Sequence, residues 1–243
     1  MDIKNKIVVV TGASSGIGKA AAELLTEQGA RVALVARSEN KITELAKKLP
    51  DSFPIVADMS KENEIKDMIE KIKNHYGRID ILINNAGQGY GSPVEKIDPD
   101  KFRYLFDLNV IGPMVAMQTV IPIMRSQGGG MIVNISSGTS YMYMPSLGAY
   151  SATKRALNGL ALTARAELEK DNIKVSLVHP YITATDFYKN TIKTEGAGGH
   201  VRESENGERP QPDTAEYMAE KILEVIRSEA PEQFAHEWMS KDK

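Results

Sequence analysis

Two of the nine tyrosines, Tyr150 and Tyr217, are followed four residues later by a lysine, Lys154 and Lys221. On a helix that spacing puts phenol and ammonium on one face, about 5–6 Å apart at Cβ. A phenol with a reference pKa of ~10 is a poor base near neutrality, and lowering it by 2–3 units takes roughly 3–4 kcal/mol of preference for the phenolate. An ammonium about 5 Å away supplies on the order of 3 kcal/mol at an effective dielectric of about 20. Lys154 is therefore expected to carry most of that shift and to let Tyr150 take up or return an alcohol proton. Ser137, thirteen residues before Tyr150 at the mouth of an apolar run, is placed to hydrogen-bond a substrate oxygen on which negative charge grows. Tyr217 lies on a terminal amphipathic segment with no such serine before it, and is read as an ordinary surface pair.

A second group sits near the N-terminus. Thr11-Gly12-Ala13-Ser14-Ser15-Gly16-Ile17-Gly18 joins an apolar β run to an Ala-rich helical segment. Glycines there let the backbone turn tightly and approach a diphosphate, while the helix N-terminus offers N–H groups and partial positive charge. Strand, turn and helix agree on a nucleotide site, against the alternative of a plain strand-to-helix turn.

The elements that must carry these groups alternate. Lys6–Val10, Arg31–Ala36, Phe53–Ala57, Asp80–Asn84, Met131–Ile135 and Lys174–Val178 are short, almost wholly apolar runs, as expected of strands covered on both faces. Gly16–Gln28, Glu39–Lys48, Lys61–Tyr76, Asp100–Gln127 and Ala149–Lys170 have helical period. Pro113 and Pro122 predict a kink or break inside the fourth helical segment. From Asp186 to Asp213 periodicity lapses, with Gly196-Ala197-Gly198-Gly199 and Pro210-Gln211-Pro212 inside the stretch. Following the sixth strand, it is expected to form a lid at the carboxyl edge of the sheet. A last helix is expected from about Thr214 to Arg227, then a short seventh strand at Glu232–Phe234. The pattern is that of an α/β fold, a Rossmann-like doubly wound parallel sheet with helices on both faces. The 243 residues are expected to form one domain, with a cofactor half over about 1–130 and a catalytic half over about 131–243.

Composition narrows the function classes. The 30 Lys and Arg against 32 Asp and Glu leave a net charge of −2 without a basic block, so neither nucleic acid nor an anionic membrane is an expected partner. There is no cysteine, and the four histidines, His75, His179, His200 and His236, lack metal-ligand spacing. No metal is expected. No signal-peptide core precedes the first apolar run, and no apolar stretch is read as long enough to span a bilayer, so a cytoplasmic location is expected.

Further segments repeat the order of one family: Asn84-Asn85-Ala86-Gly87 after the fourth strand, Asn109-Val110 in the next helix, Ile135-Ser136-Ser137, and Tyr150-Ser151-Ala152-Thr153-Lys154. With the glycine turn they resemble the short-chain dehydrogenase/reductase family over about Lys6 to Phe187. The resemblance implies an oxidoreductase that moves a hydride between a nicotinamide cofactor and a small-molecule carbonyl or alcohol carbon. It implies that Gly12, Ser14, Ser15, Gly16, Ile17 and Gly18 hold the diphosphate, that Asp58 and Met59 border the adenine, and that Asn85, Ala86 and Gly87 line the cofactor. Lys154 would also hold the nicotinamide ribose beside Tyr150, and Asn109 a water next to that lysine. His179-Pro180-Tyr181-Ile182-Thr183-Ala184-Thr185 resembles the family's Pro-Gly-x-x-x-Thr, with Pro180, Thr183 and Thr185 near the carboxamide and Tyr181 replacing the glycine.

The second strand ends Ala36-Arg37-Ser38, without the acid that would repel a 2′-phosphate. Arg37 can grip that phosphate, with Ser14 and Ser38 as neutral donors, so NADP is expected over NAD. Tyr141-Met142-Tyr143-Met144 and Phe187-Tyr188 are either an apolar pocket wall or subunit packing. The family commonly pairs the two long helices across a two-fold axis, so a homodimer or homotetramer is expected. The competing readings are a catalytically silent dinucleotide-binding redox sensor or scaffold, and a sugar-nucleotide epimerase or dehydratase, for which the chain has little extra length.

Overall fold

The computed structural model describes residues 1–194 and 211–242. Along the chain the elements are β1 (Ile7–Thr11), α1 (Gly16–Glu27), β2 (Arg31–Ala36), α2 (Glu39–Ala46), β3 (Phe53–Val56), α3 (Glu62–Tyr76), β4 (Ile81–Asn84) and β5 (Tyr90–Gly91). They continue with α4 (Pro99–Phe106), α5 (Gly112–Ser126), β6 (Gly130–Ile135), α6 (Gly148–Leu168), β7 (Ile173–His179), β8 (Ile192–Lys193), α7 (Ala215–Ser228) and β9 (Glu232–Phe234). Seven strands form one parallel sheet in the order β3-β2-β1-β4-β6-β7-β9. This is the doubly wound α/β architecture that the alternating pattern predicts.

The central strands are largely apolar because both faces are covered. In β1, Val8 and Val10 belong to the core beneath α1, α2 and α7, whereas Ile7 and Val9 belong to the core beneath α3, α5 and α6. The chain steps outward from β1 to β2 and β3, then returns to β4 on the other side of β1. That reversal opens a crevice at the carboxyl ends of β1 and β4, the place where such sheets take ligands.

The predicted strands and helices are present, with ends shifted by one or two residues as terminal turns tighten or fray. The prolines act differently from a simple break. A π-helical turn at Asp107–Ile111 links α4 to α5, and Pro113 enters the first turn of α5 while Pro122 lies inside it. The helical run therefore continues from Pro99 to Ser126. An 18-residue stretch of this 28-residue run has a mean hydropathy of 1.3, long and apolar enough to cross a membrane by length and composition, with half of the stretch buried inside the protein. By length and composition alone this run departs from the expectation that no apolar stretch is long enough to span a bilayer.

Of the stretch expected to form a lid, residues 186–194 and 211–213 are described. Ile192–Lys193 pairs in parallel with Tyr90–Gly91 as a two-stranded sheet, and Thr183 bridges to Asp213. Residues 195–210, with the Gly196–Gly199 run and Pro210, lie outside the described residues.

Candidate active site

The carboxyl ends of β1 and β4 are tied by Thr11. Its hydroxyl donates to the carbonyl of Ile83 at 3.2 Å and accepts the N–H groups of Asn85 at 2.9 Å and Ala86 at 3.0 Å. Asn85 returns the contact, its Nδ2 donating to the Thr11 carbonyl at 2.9 Å. The Asn84–Gly87 loop is thereby held against the glycine turn. Asn84 itself points into the sheet, where its Nδ2 donates to Asn134 at 2.9 Å.

The glycine turn is as close as it can be. A Cβ on Gly18 would collide with Asn85 Nδ2 and the Gly12 carbonyl, so no larger residue fits there. Ser15 occupies the N-cap of α1 without a side-chain hydrogen bond, and the first turn of α1 carries no acid. The N–H groups at that helix start are thus not taken by a cap, which fits a diphosphate. From the opposite end of the fold, Thr185 meets this turn: its Cγ2 lies 3.1 Å from where a Gly16 Cβ would stand. An open groove of about 500 Å³ runs beside it, lined by Gly16, Lys19, Ala184, Thr185, Asp186 and Glu216 among others, and by neither Tyr150 nor Ser137.

At the end of β2, Ala36 is buried and Arg37 is exposed, its Nη1 3.3 Å from the Tyr104 hydroxyl. Ser38 caps α2 in position but makes no side-chain cap bond. Burial works against ionisation of Asp58, yet hydrogen bonds from the Ser60 N–H and hydroxyl, with Arg37 and Lys61 nearby, hold its carboxyl below the usual range. The Ser60 bonds make Asp58 a turn former ahead of α3; Lys61, not Asp58, is the N-cap. Met59 is buried beside it.

Asn109 sits in the π turn. The Gly112 N–H reaches back five residues to the Asp107 carbonyl, and Pro113 has no N–H to give to the Asn109 carbonyl four residues before it. The Asn109 side chain is fully buried; its Nδ2 donates to the Gln88 carbonyl at 2.9 Å and to Thr153 Oγ1 at 3.1 Å, and its Oδ1 accepts the Gln88 N–H at 3.0 Å. Thr153 in turn donates to the Tyr150 carbonyl at 2.7 Å, one helical turn back on α6. A Cβ on Gly87 would stand 3.1 Å from Asn109 Oδ1 and 3.6 Å from Lys154 Nζ, so the Asn85–Gly87 loop, Asn109 and Lys154 converge.

Tyr150, Lys154 and Ser137 complete the cluster. Both Tyr150 and Lys154 are buried, and Lys154 Nζ donates to the Ile135 carbonyl at 2.8 Å while lying 5.8 Å from the centre of the Tyr150 ring. Burial pushes the Tyr150 phenol well above its ordinary value; a hydrogen bond with Ser137 opposes the rise, and the neighbouring Tyr188 adds to it. Burial likewise brings the Lys154 ammonium down to about 8. The expectation that Lys154 carries most of a downward shift of Tyr150 is not what this structure gives: the ammonium is itself desolvated and turned toward Ile135, and burial is the largest influence on both groups.

Tyr217 shows what the same spacing does without a site. Lys221 Nζ lies 5.2 Å from its ring centre, but the phenol donates to the Ala235 carbonyl at 2.5 Å and Lys221 pairs with Glu224. The aromatic stretch after Ser137 divides too. Tyr141 donates to Glu232 at 2.7 Å and packs against His179 and Phe234, whereas Phe187 faces Tyr150 with ring centres 5.7 Å apart. Tyr181 adopts no left-handed backbone, so its side chain in place of the family glycine carries no strain there; its ring meets Trp238 edge-on. Pro180 accepts the Gly138 N–H at 2.8 Å. Gln88 and Thr153, which hold Asn109, were not singled out from the sequence; their contacts run across 21 and 44 residues, beyond any local pattern. Among the described residues there is no group of metal-binding side chains.

A profile described as short chain dehydrogenase matches residues 6–196. A 3alpha-hydroxysteroid dehydrogenase from Mediterraneibacter gnavus is 37% identical over 193 residues, covering 77% of this chain and 77% of its own. A short-chain dehydrogenase from Burkholderia cenocepacia, solved in complex with NADP, superimposes with a TM-score of 0.83 at 26% identity over 99% of this chain and 92% of its own. One from Burkholderia phymatum, solved with NAD, gives 0.88 at 22% identity over 99% and 92%, a likeness that bears on the fold alone.

The burial of Lys154 has a measurable consequence. Below about pH 8 the lysine is charged both folded and unfolded, so the full cost of burying the ammonium is present. Between about 8 and the ordinary lysine value of 10.5 the folded protein has lost the proton that the unfolded chain still binds, so stability rises with pH, by on the order of 3 kcal/mol over the window. Denaturant unfolding at pH 7.5 and 10, compared with Lys154→Met, should show the wild type gaining on the variant; an unchanged gap would contradict the burial argument.

Proposed function

The chain belongs to the short-chain dehydrogenase family and is an oxidoreductase; from that premise we propose that it interconverts a ketone or aldehyde with an alcohol, using NADP(H) and Tyr150 as the proton carrier. The observation that carries this reading is the cluster of half-buried Ser137 with buried Tyr150, Lys154 and Asn109 at the same sheet edge as the glycine turn. In this reading the whole chain is one domain, with Gly12, Ser14, Ser15, Gly16, Ile17 and Gly18 at the diphosphate. Asp58 and Met59 border the adenine, Asn85, Ala86 and Gly87 line the cofactor, Lys154 holds the ribose, and Pro180, Thr183 and Thr185 flank the carboxamide.

When bound, the reduced nicotinamide supplies the hydride that goes to the carbonyl carbon. Ser137 hydrogen-bonds the carbonyl oxygen as its electron pair gathers there. Tyr150, kept neutral by burial, gives its phenolic proton to that oxygen and closes the alcohol O–H bond. The phenolate left behind is stabilised by Ser137 and by the Lys154 ammonium until a proton returns through Lys154 and the Asn109 side of the cluster. Burial keeps the phenol protonated, and Ser137 with the Lys154 ammonium offsets the acidity that burial removes; in oxidation the same groups run the proton the other way. Phe187 against Tyr150 supports a somewhat apolar substrate. Tyr150→Phe should lower turnover by about 10²–10⁴-fold with cofactor affinity nearly unchanged, while Tyr217→Phe changes little. Carbonyl-dependent loss of reduced-cofactor absorbance checks both, and comparable activity of Tyr150→Phe and wild type would remove the mechanism.

NADP over NAD rests on Arg37, exposed beside buried Ala36, and on the Ser38 hydroxyl left out of the α2 cap. A charge-assisted pair of hydrogen bonds to a 2′-phosphate contributes about 1.5–3 kcal/mol. Replacing Ala36→Asp with Arg37→Ala should therefore move the preference toward NAD by roughly 10–100-fold; a wild type that already favours NAD overturns the role given to Arg37. The assembly we propose is a homodimer or homotetramer built on α5 and α6, which sedimentation velocity at micromolar concentration should register as more than a monomer.

A further inference from the structure

Gln88 follows the Asn85–Gly87 loop and holds two partners at once. Its main-chain N–H donates to Asn109 Oδ1 at 3.0 Å and its carbonyl accepts from Asn109 Nδ2 at 2.9 Å, so one residue fixes both ends of that amide. Its side chain reaches elsewhere: Nε2 donates to the Asn190 carbonyl at 2.6 Å. Asn190 belongs to the segment Phe187–Thr194, which pairs with the same loop through the Ile192 N–H to the Gly89 carbonyl and the Thr194 N–H to the Gly91 carbonyl, each at 3.0 Å. Gly89 permits this approach, since a Cβ there would stand 2.6 Å from Thr191 Oγ1 and 3.0 Å from Phe187 Cε1. At the head of the segment, Phe187 covers Tyr150, which is 9% exposed.

We propose that Gln88 is a positioning residue that couples the cover over Tyr150 to the orientation of the Asn109 amide. The inference rests on the carbonyl chemistry proposed above and adds a residue that this chemistry depends on. A pair of two-residue strands is marginal in water, so beside the packing of Ile192 on Tyr90, Leu105 and Ala149 the side-chain bond from Gln88 ties the Phe187–Thr194 segment directly to the loop that grips Asn109. While it is down, Phe187 keeps water from Tyr150, and the loop that carries Gln88 is braced from the far side. When the bond is absent, the cover loosens and the main-chain grip on Asn109 loses its brace, although both main-chain bonds can still form.

Two substitutions separate the donor from the shape. Gln88→Glu keeps the shape and loses the donor to Asn190; Gln88→Lys restores a donor on a long side chain. For Gln88→Glu, the single-turnover rate of hydride transfer should fall about tenfold with the KM for cofactor within twofold, and chymotrypsin should cut after Phe187 or Tyr188 at least fivefold faster. Gln88→Lys should return both readouts to within about threefold of wild type. A Gln88→Glu protein that matches wild type in rate or in cleavage overturns the proposal, as does failure of Gln88→Lys to restore either. If wild type reduces no carbonyl, the functional reading fails while cleavage still tests the bond between Gln88 and Asn190.

Discussion

The hydroxyl of Thr11 is the contact on which the site's layout depends. By bonding the Ile83 carbonyl and the Asn85 and Ala86 N–H groups, it joins the ends of two strands at the point where the chain's winding reverses. The crevice at that point would otherwise be bounded by two independent loops. With the return bond from Asn85 it becomes one surface, glycine turn on one side and the Asn85–Gly87 loop on the other. Everything further along leans on that second loop, through Gly87 beside Asn109 and Lys154 and through Gln88 on the Asn109 amide.

Burial then decides the chemistry. In an exposed pair four residues apart, an ammonium and a phenol adjust each other by Coulomb attraction, screened by water. Inside the fold, water is removed from both, and the charged form of each is disfavoured. The phenol rises and the ammonium falls, so the proton on Tyr150 is held more tightly and the one on Lys154 less tightly than in an exposed pair. Tyr217 and Lys221 share the spacing but not the surroundings, and there each group is used up by a local partner.

The architecture was legible because its cause is local. Strands buried on both faces must be largely apolar, as residues 7–10 of β1 and 81–83 of β4 are, and the helices between them must repeat with helical period. The glycine turn was legible for the same reason: Gly18 is fixed by a collision that any side chain would cause. Less could be read where meaning comes from distant residues. The spacing of Tyr150 and Lys154 was visible, but their titration depends on what covers them. Nothing within ten residues of Gln88 marks it as the holder of Asn109, and strands of two residues such as Tyr90–Gly91 have no period to detect. Tyr141, equally compatible from sequence with a pocket wall or with subunit packing, is held within its own chain by a glutamate 91 residues away.

The π turn at Asp107–Ile111 also acts on the phase of everything after it. An α-helix advances about 100° per residue, and a wide turn takes up one residue without ending the rod. Asn109 can therefore face Gln88 and Thr153 while, a few residues on, Val115, Ala116 and Val120 face the sheet. A continuous α-helix would have to satisfy both faces with a single azimuth. The extra residue acts as an angular offset between a polar task upstream and an apolar one downstream, so the chain can alter either face without turning the other away from its partner.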